Sequence, residues 1–219
     1  MKLTLVGSAN FFRGFRNAWM LEELGAAWHH DPAKPRSKAA RSVNPFGKVP
    51  TLLDGDITIY DSVAINNYLG DKFRELRVGP TLIPPPGTAL RARYEQLVCT
   101  THSELDAQGL WIHRKHASEV AQYLGGLNPE ATEVARKHSL HVIDVLADEL
   151  AQSGGPYLLG HGFSAADILL VHCMDWAEHI GWWSASDYQP GERTESRRLR
   201  EYVQLCRERP AYKKAKALP

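Results

Sequence analysis

Asn44-Pro45-Phe46-Gly47-Lys48-Val49-Pro50-Thr51-Leu52-Leu53-Asp54-Gly55-Asp56-Ile57-Thr58-Ile59-Tyr60-Asp61-Ser62-Val63-Ala64-Ile65 contains a strand, a tight turn, a second strand and the start of a helix. Val49–Leu53 and Ile57–Tyr60 are apolar runs separated by Asp54-Gly55-Asp56, and Asp-Gly between such runs signals a hairpin. A helix over 63–73 follows, with Ala64, Ile65, Tyr68 and Leu69 on one face. Asp61-Ser62 stands where side-chain oxygens cap free backbone N–H groups. Pro50 cannot donate to a β-ladder. Either it starts an edge strand, or it adopts the cis form, in which Val49 offers N–H and C=O to an extended peptide. The spacing leaves both open.

Upstream, Lys2–Val6 alternates and ends at Gly7, which predicts a strand. A helix over 14–24 stops at Gly25. Ala27–Asp31 is a short second strand closed by Pro32, and Lys34–Arg41 reads as a Pro-rich basic loop. The order β-α-β, loop, β-β-α fits a small mixed sheet with helices packed against it. Pro80–Gly87 (PTLIPPPG) reads as a stiff connector, and only helices are expected beyond it. Tyr94, Leu97, Val98 and Leu105 mark one helix, and Val142, Ile143 and Leu146 a second. Ala165–Ile180, apolar on nearly every side, is the expected buried helix, opened by a capping box, Ser164 and Asp167. Leu199, Val203 and Cys206 mark a further one, and the Lys/Arg-rich stretch Arg197–Lys216 reads as a solvated helix face. The expected domains are 1–79 (α/β), 80–87 (linker) and 88–219 (all-helical).

Composition narrows the function. The chain has 219 residues, 43% hydrophobic and 23% charged, with 26 Lys and Arg against 25 Asp and Glu. So even a balance gives no footprint for nucleic acid or an acidic membrane surface. Cys99, Cys173 and Cys206 form no CxxC, which argues against a dithiol centre or a zinc knuckle. Free thiols suit a reducing cytoplasm, and MKLTLV lacks the apolar core of a signal peptide. No Walker loop, GxGxxG or GxSxG is present.

Three constellations remain. Asp61-Ser62 at a helix start either only caps, or holds an amino-acid head group, its carboxylate at the helix N-terminus and its amine at Asp61. The loop Gly7-Ser8-Ala9-Asn10-Phe11-Phe12-Arg13 precedes the first helix. A thiol at such a helix start has its pKa lowered; Ser8 or Asn10 would donate to the thiolate and Arg13 would add charge, or Ser8 and Asn10 only shape the turn. The pairs His113/His116 and His138/His141 each share a helix face, without the carboxylate pattern of a clear metal site.

With Trp19-Met20-Leu21-Glu22-Glu23-Leu24-Gly25, Asn44–Leu52, Ile59–Ile65 and Phe163-Ser164-Ala165-Ala166-Asp167-Ile168 in this order, the chain resembles a cytosolic glutathione S-transferase over almost its whole length. The resemblance implies a thioredoxin-like N-terminal domain, an all-α helical-bundle C-terminal domain and a homodimer. It implies that Val49, before Pro50, pairs with the cysteinyl backbone of glutathione, and that Asp61 and Ser62 bind the γ-glutamyl group. Lys48, with Lys34 or Lys38, would meet the glycyl carboxylate. Phe12 and Trp111 would line the pocket for a small hydrophobic electrophile. No metal or other cofactor is implied, glutathione being the co-substrate, and a detoxifying conjugation is the implied reaction. The chain departs from the family's pattern at the thiol-activating position: the usual serine register falls on Phe11–Arg13, where no hydroxyl or thiol stands, leaving Ser8, Asn10 and Arg13 as candidates. A non-catalytic glutathione-binding or scaffold protein on the same fold is the alternative.

Overall fold

The computed structural model describes residues 3–9, 12–187 and 191–219. By internal packing the chain divides into two units, Met1–Thr88 with Arg207–Pro219, and Ala89–Cys206.

The first unit is built on a four-stranded sheet of order β2-β1-β3-β4, from β1 (Leu3–Val6), β2 (Trp28–Asp31), β3 (Thr51–Asp54) and β4 (Ile57–Tyr60). β1 runs parallel to β2 and antiparallel to β3, and β3 pairs antiparallel with β4. Leu3, Leu5 and Leu52 are buried, as central strands require. Asp54 faces Ile57 across the turn, with Gly55 at φ +60°, a conformation glycine adopts without cost. The register sets the unit's geometry. Val6 pairs with Asp31 on one side and Thr51 on the other, and Thr51 pairs with Tyr60. One row therefore closes the sheet, and the segments following β1, β2 and β4 and preceding β3 all emerge at that end.

Helices α1 (Gly14–Glu23) and α3 (Ser62–Glu75) pack with the sheet. Phe15, Trp19, Leu21, Ile65 and Leu69 are buried, following the apolar periodicity of each helix. Short helix α2 (Lys38–Val43) replaces the expected basic loop: Ser37 Oγ accepts the Ala40 N–H at 3.1 Å and Ala40 is its buried residue. Leu82, Ile83 and Pro84 are buried, so Pro80–Gly87 packs as part of the unit.

By internal packing the last helix groups with this first unit. Helix α10 (Pro210–Lys216; α4 to α9 are described below) lies on α1, where the Tyr212 ring meets Phe15 at 5.2 Å and Trp19 at 4.9 Å, both edge-on. Arg209 forms two bonds to the Glu23 carboxylate, at 2.6 and 2.7 Å. The C-terminal basic stretch is thus only partly a solvated face, since Ala211, Tyr212 and Ala215 are buried.

The second unit is helical apart from isolated bridges at Tyr157–Gly160 and Leu159–Gly162. It comprises α4 (Ala89–Thr100), a π-helical segment (Thr101–Leu110), α5 (Trp111–His116), α6 (Ala121–Leu124), α7 (Pro129–Gln152), α8 (Ala165–His179) and α9 (Thr194–Arg207). α8 is buried over most of its length, as its apolar sequence predicts. Asp167 caps it, accepting from the Ser164 N–H and Oγ at 2.8 Å, the Leu158 N–H at 2.9 Å and Tyr202 OH at 3.0 Å. These bonds compensate a carboxylate otherwise costly to bury. Among the described residues no helix is long and apolar enough to cross a membrane.

Candidate active site

The sheet register brings parts of three predicted segments to one end of the first unit: Gly7–Ala9 after β1, Val49-Pro50 before β3, and Asp61-Ser62 after β4. Gly7, at φ +134°, packs so closely on the second segment that an added Cβ would lie 2.6 Å from Val49 Cβ. Any side chain there would push the two loops apart. The Val49–Pro50 peptide is cis. Pro50 is buried and Val49 partly exposed.

The Asn44–Lys48 loop organises itself through Asn44. Its Oδ1 accepts the Phe46 N–H and its Nδ2 donates to the Lys48 carbonyl, both at 3.0 Å. Gly47 C=O accepts the Arg36 N–H at 2.7 Å, so the basic stretch folds back on this loop. Lys34, Lys38 and Lys48 are all exposed, and Lys48 Nζ lies 5.9 Å from the Phe46 ring centre.

Asp61 is the N-cap of α3. Its Oδ1 accepts the N–H of Val63 at 2.9 Å and of Ala64 at 3.2 Å, with φ at +79°. Capping is thus established for Asp61. Ser62, 2% exposed, is the first residue of α3. Its Oγ accepts from Arg16 Nη1 at 3.2 Å, and its carbonyl accepts from Asn17 Nδ2 at 2.9 Å. Asn17 Nδ2 also donates to Asn66 Oδ1 at 2.7 Å, tying α1 to α3. Sequence reasoning missed Arg16 and Asn17: both lie inside an amphipathic helix, where polar residues are ordinarily placed toward water.

In the loop leading to α1, the Ser8 N–H donates to the Ala33 carbonyl at 3.1 Å. The Ser8 carbonyl lies 2.7 Å from where a Cβ on Gly14 would stand, which keeps Gly14 side-chain-free and the loop pressed on the start of α1. Ser8 is partly exposed, and Arg13, also partly exposed, is the N-cap residue of α1. Asn10 and Phe11 lie outside the described residues. Phe12 is half-buried; its carbonyl accepts the Phe15 N–H at 2.9 Å in the first turn.

In the second unit, Trp111 is half-buried at the first position of α5. His113 meets Trp182 edge-on at 5.2 Å; burial and the nearby His179 push its imidazole below the usual histidine range. The paired histidines serve separate contacts: His116 Nδ1 bonds the Gly126 carbonyl at 2.9 Å, and His138 Nε2 lies 3.2 Å from Glu104. Among the described residues no cluster of three or more potential metal ligands forms.

Residues 14–72 match the family model of the glutathione S-transferase N-terminal domain. Glutathione S-transferase 3 of Zea mays is 33% identical over 129 residues, 58% of this chain and 54% of its own length. The glutathione S-transferase-like protein OpS6 of Beauveria bassiana is 28% identical over 208 residues, 91% and 88% of the two chains. The crystal structure of glutathione transferase F7 from Populus trichocarpa superposes with TM-score 0.79 at 19% identity, over 97% of each chain. The chain is thus similar to glutathione S-transferases, by sequence over part of its length and by fold over nearly all of it. Its fold is that of these structures, a thioredoxin-like sheet unit with a helical unit. The chain spans about half the length of the first curated relatives it matches.

Proposed function

We propose that the chain is a glutathione transferase, which binds the tripeptide along the end of the sheet and directs its thiolate at a small hydrophobic electrophile. The observation that carries this reading is the row Val6–Thr51–Tyr60, which sets the three predicted segments side by side. Two strand spacings of about 4.8 Å cover about 10 Å. An extended tripeptide spans at most about 10–11 Å. One ligand therefore reaches from the start of α3, past Val49, to the start of α1.

The roles follow from the chemistry at each position. The first turn of α3, with Ser62, takes the γ-glutamyl carboxylate, and Asp61 takes the ammonium. The Val49 backbone pairs with the cysteinyl residue as a short added strand. Lys48, with Lys34 or Lys38, attracts the glycyl carboxylate. The sulfur then lies at the N-terminus of α1, where the helix dipole favours thiolate over thiol. Ser8, Asn10 and Arg13 are the side chains proposed to assist. The thiolate attacks an electrophilic carbon, forming a C–S bond, and a leaving group departs or a double bond takes up the electron pair. Phe12 is proposed as an apolar wall for the electrophile. Detoxification in the cytoplasm, as a homodimer, completes the reading.

An ultraviolet titration of bound glutathione tests it. The thiol pKa falls by at least about one unit on binding, the scale of a helix N-terminal effect on cysteine, and an aryl halide is turned over. An unshifted thiol and no turnover, with binding intact, would leave a non-catalytic glutathione-binding protein instead.

A further inference from the structure

Residues 32–53 hold five basic residues, Lys34, Arg36, Lys38, Arg41 and Lys48, and no Asp or Glu. The whole chain sets 26 Lys and Arg against 25 Asp and Glu, so the remainder is net acidic and the even balance conceals a local excess. The fold gathers that excess on one surface. The Arg36 N–H donates to the Gly47 carbonyl at 2.7 Å, and Arg41 Nε donates to the Arg36 carbonyl at 3.0 Å. These two bonds hold Arg36 at φ +65°, a conformation costly for a residue with a Cβ. A Cβ on Gly47 would stand 3.2 Å from Arg41 Cγ, so the Arg41 stem lies directly on the loop before β3. All five basic residues are exposed. Lys34, Arg36, Lys38 and Arg41 form no ion pair with any described residue. One glycyl carboxylate would neutralise one of these charges and leave the excess standing.

A second observation on the same loop is apolar. The Gly47 N–H donates to the Asn44 carbonyl at 2.8 Å, closing a tight turn with Pro45 and Phe46 at its apex. Pro45 is exposed, and Phe46 is 68% exposed. Arg36 and Arg41 flank the apex on one side, and Lys48, its Nζ 5.9 Å from the Phe46 ring centre, on the other. An aromatic apex among cations suits the surface of a bilayer: anionic head groups attract the cations, and the ring enters the interface. Single-stranded nucleic acid is instead held in a basic groove with successive stacking rings, and this apex is a projecting turn.

We propose that this loop docks the protein on a bilayer rich in anionic lipid, with Lys34, Arg36, Lys38, Arg41 and Lys48 meeting the head groups and Phe46 entering between them. The docking is peripheral and reversible, because a handful of charges and one ring hold far less firmly than a membrane-spanning helix. The global charge balance gave no sign of it, since the balance averages over the acidic remainder of the chain. The proposal stands apart from the tripeptide reading, in which Arg36, Arg41 and Phe46 have no role.

Co-sedimentation of the full chain with phosphatidylcholine vesicles, with and without about 30% phosphatidylserine, tests it. The chain binds the acidic vesicles, stays in solution with the neutral ones, and is released by about 0.5 M salt. Arg36→Ser together with Arg41→Ser weakens binding about 20-fold, from about fivefold per basic residue. Phe46→Ser weakens it about tenfold. Arg136→Ser with Lys137→Ser takes the same charge from α7 and leaves binding within about twofold. Thermal midpoints confirm that each variant is folded. Should the Arg36/Arg41 pair fail to fold, Arg36→Ser alone decides, because its guanidinium bonds no described residue, and the expected loss is about fivefold. Equal losses from the loop and α7 pairs would show attraction to net charge alone and overturn the proposal, as would a Phe46→Ser variant that binds like wild type. No binding to acidic vesicles overturns it, and so does tighter binding to single-stranded DNA at the same salt, which would give the surface to nucleic acid. Self-association abolished by Phe46→Ser, without vesicle binding, would give the apex to a second copy of the chain and overturn it too. None of these results touches glutathione binding, which calorimetry measures separately.

Discussion

Asp61 Oδ1 accepts the Val63 N–H at 2.9 Å, so the carboxylate proposed to meet the ligand's amine also caps the helix whose N-terminus would bind the ligand's carboxylate. The two roles separate by substitution. Asp61→Asn keeps a capping oxygen and tolerates the positive φ, and stability stays within about 0.5 kcal/mol of wild type. Asp61→Ala loses the cap, at about 1 kcal/mol. Both weaken glutathione binding, because both remove the charge facing the ammonium. Thermal unfolding and calorimetry on the two variants check this, and Asn binding as tightly as wild type would limit Asp61 to capping.

Glu23 is held from two sides, by Trp19 Nε1 at 2.9 Å and by the Arg209 fork. Arg209→Ala leaves a largely buried carboxylate with the indole N–H and removes one of the ties between α10 and α1, the Tyr212 ring contacts remaining. The expected cost is about 2 kcal/mol, that of a lost charge-assisted pair with one partner remaining buried. The thermal midpoint reports it, and Arg209→Lys recovers part, because a single ammonium cannot reproduce the fork.

Gly70 lies against the connector, where a Cβ would stand 2.5 Å from Ile83 Cγ1 and 2.6 Å from Cδ1. Gly70→Ala is therefore destabilising by about 1–3 kcal/mol, an overpacking cost that outweighs the helix propensity gained. Pairing it with Ile83→Val relieves part of the clash, and the double variant unfolds at a higher temperature than Gly70→Ala alone.

The pH dependence centres on Asp54, Tyr68 and Lys72. Burial pushes the Asp54 carboxyl up, but bonds from Lys72 and from Tyr68 OH, together with the Lys72 charge, hold it below the ordinary carboxylate range. A carboxyl with a depressed folded pKa contributes stability above its unfolded value, near 4, and loses it as pH falls through the lower folded value. The bond to Asp54 raises Lys72 against the opposing effect of burial, and that contribution is lost at the alkaline end, as pH rises through the folded value. Lys72→Met therefore lowers the thermal midpoint at neutral pH, and the gap from wild type narrows as the pH is taken below about 4. A gap constant down to strongly acid pH would show that Lys72 contributes packing alone.

Much of this was legible in the sequence, for local reasons. Alternation gave β1, Asp-Gly between two apolar runs gave β3, β4 and their hairpin, and the Asp61-Ser62 pair marked the start of α3. Where long-range packing decides, the sequence was silent. Helix α2 carries Ala40 as its buried residue and so shows no apolar stripe. Tyr212 in α10 finds Phe15 and Trp19 nearly 200 positions away, in the opposite half of the chain. Arg16 looks like any surface arginine until α3 is laid beside it. The π-helical segment 101–110 likewise keeps an apolar spacing that reads as ordinary α-helix.

Backbone amide shifts followed by NMR as glutathione is added report on binding of the tripeptide along the end of the sheet. Binding there produces saturable shifts concentrated at Ser8, Val49, Ser62 and Val63, with Ser62→Ala weakening it by about 1–3 kcal/mol, as for a lost bond to a charged group. Saturable binding that leaves those four amides unmoved would contradict it.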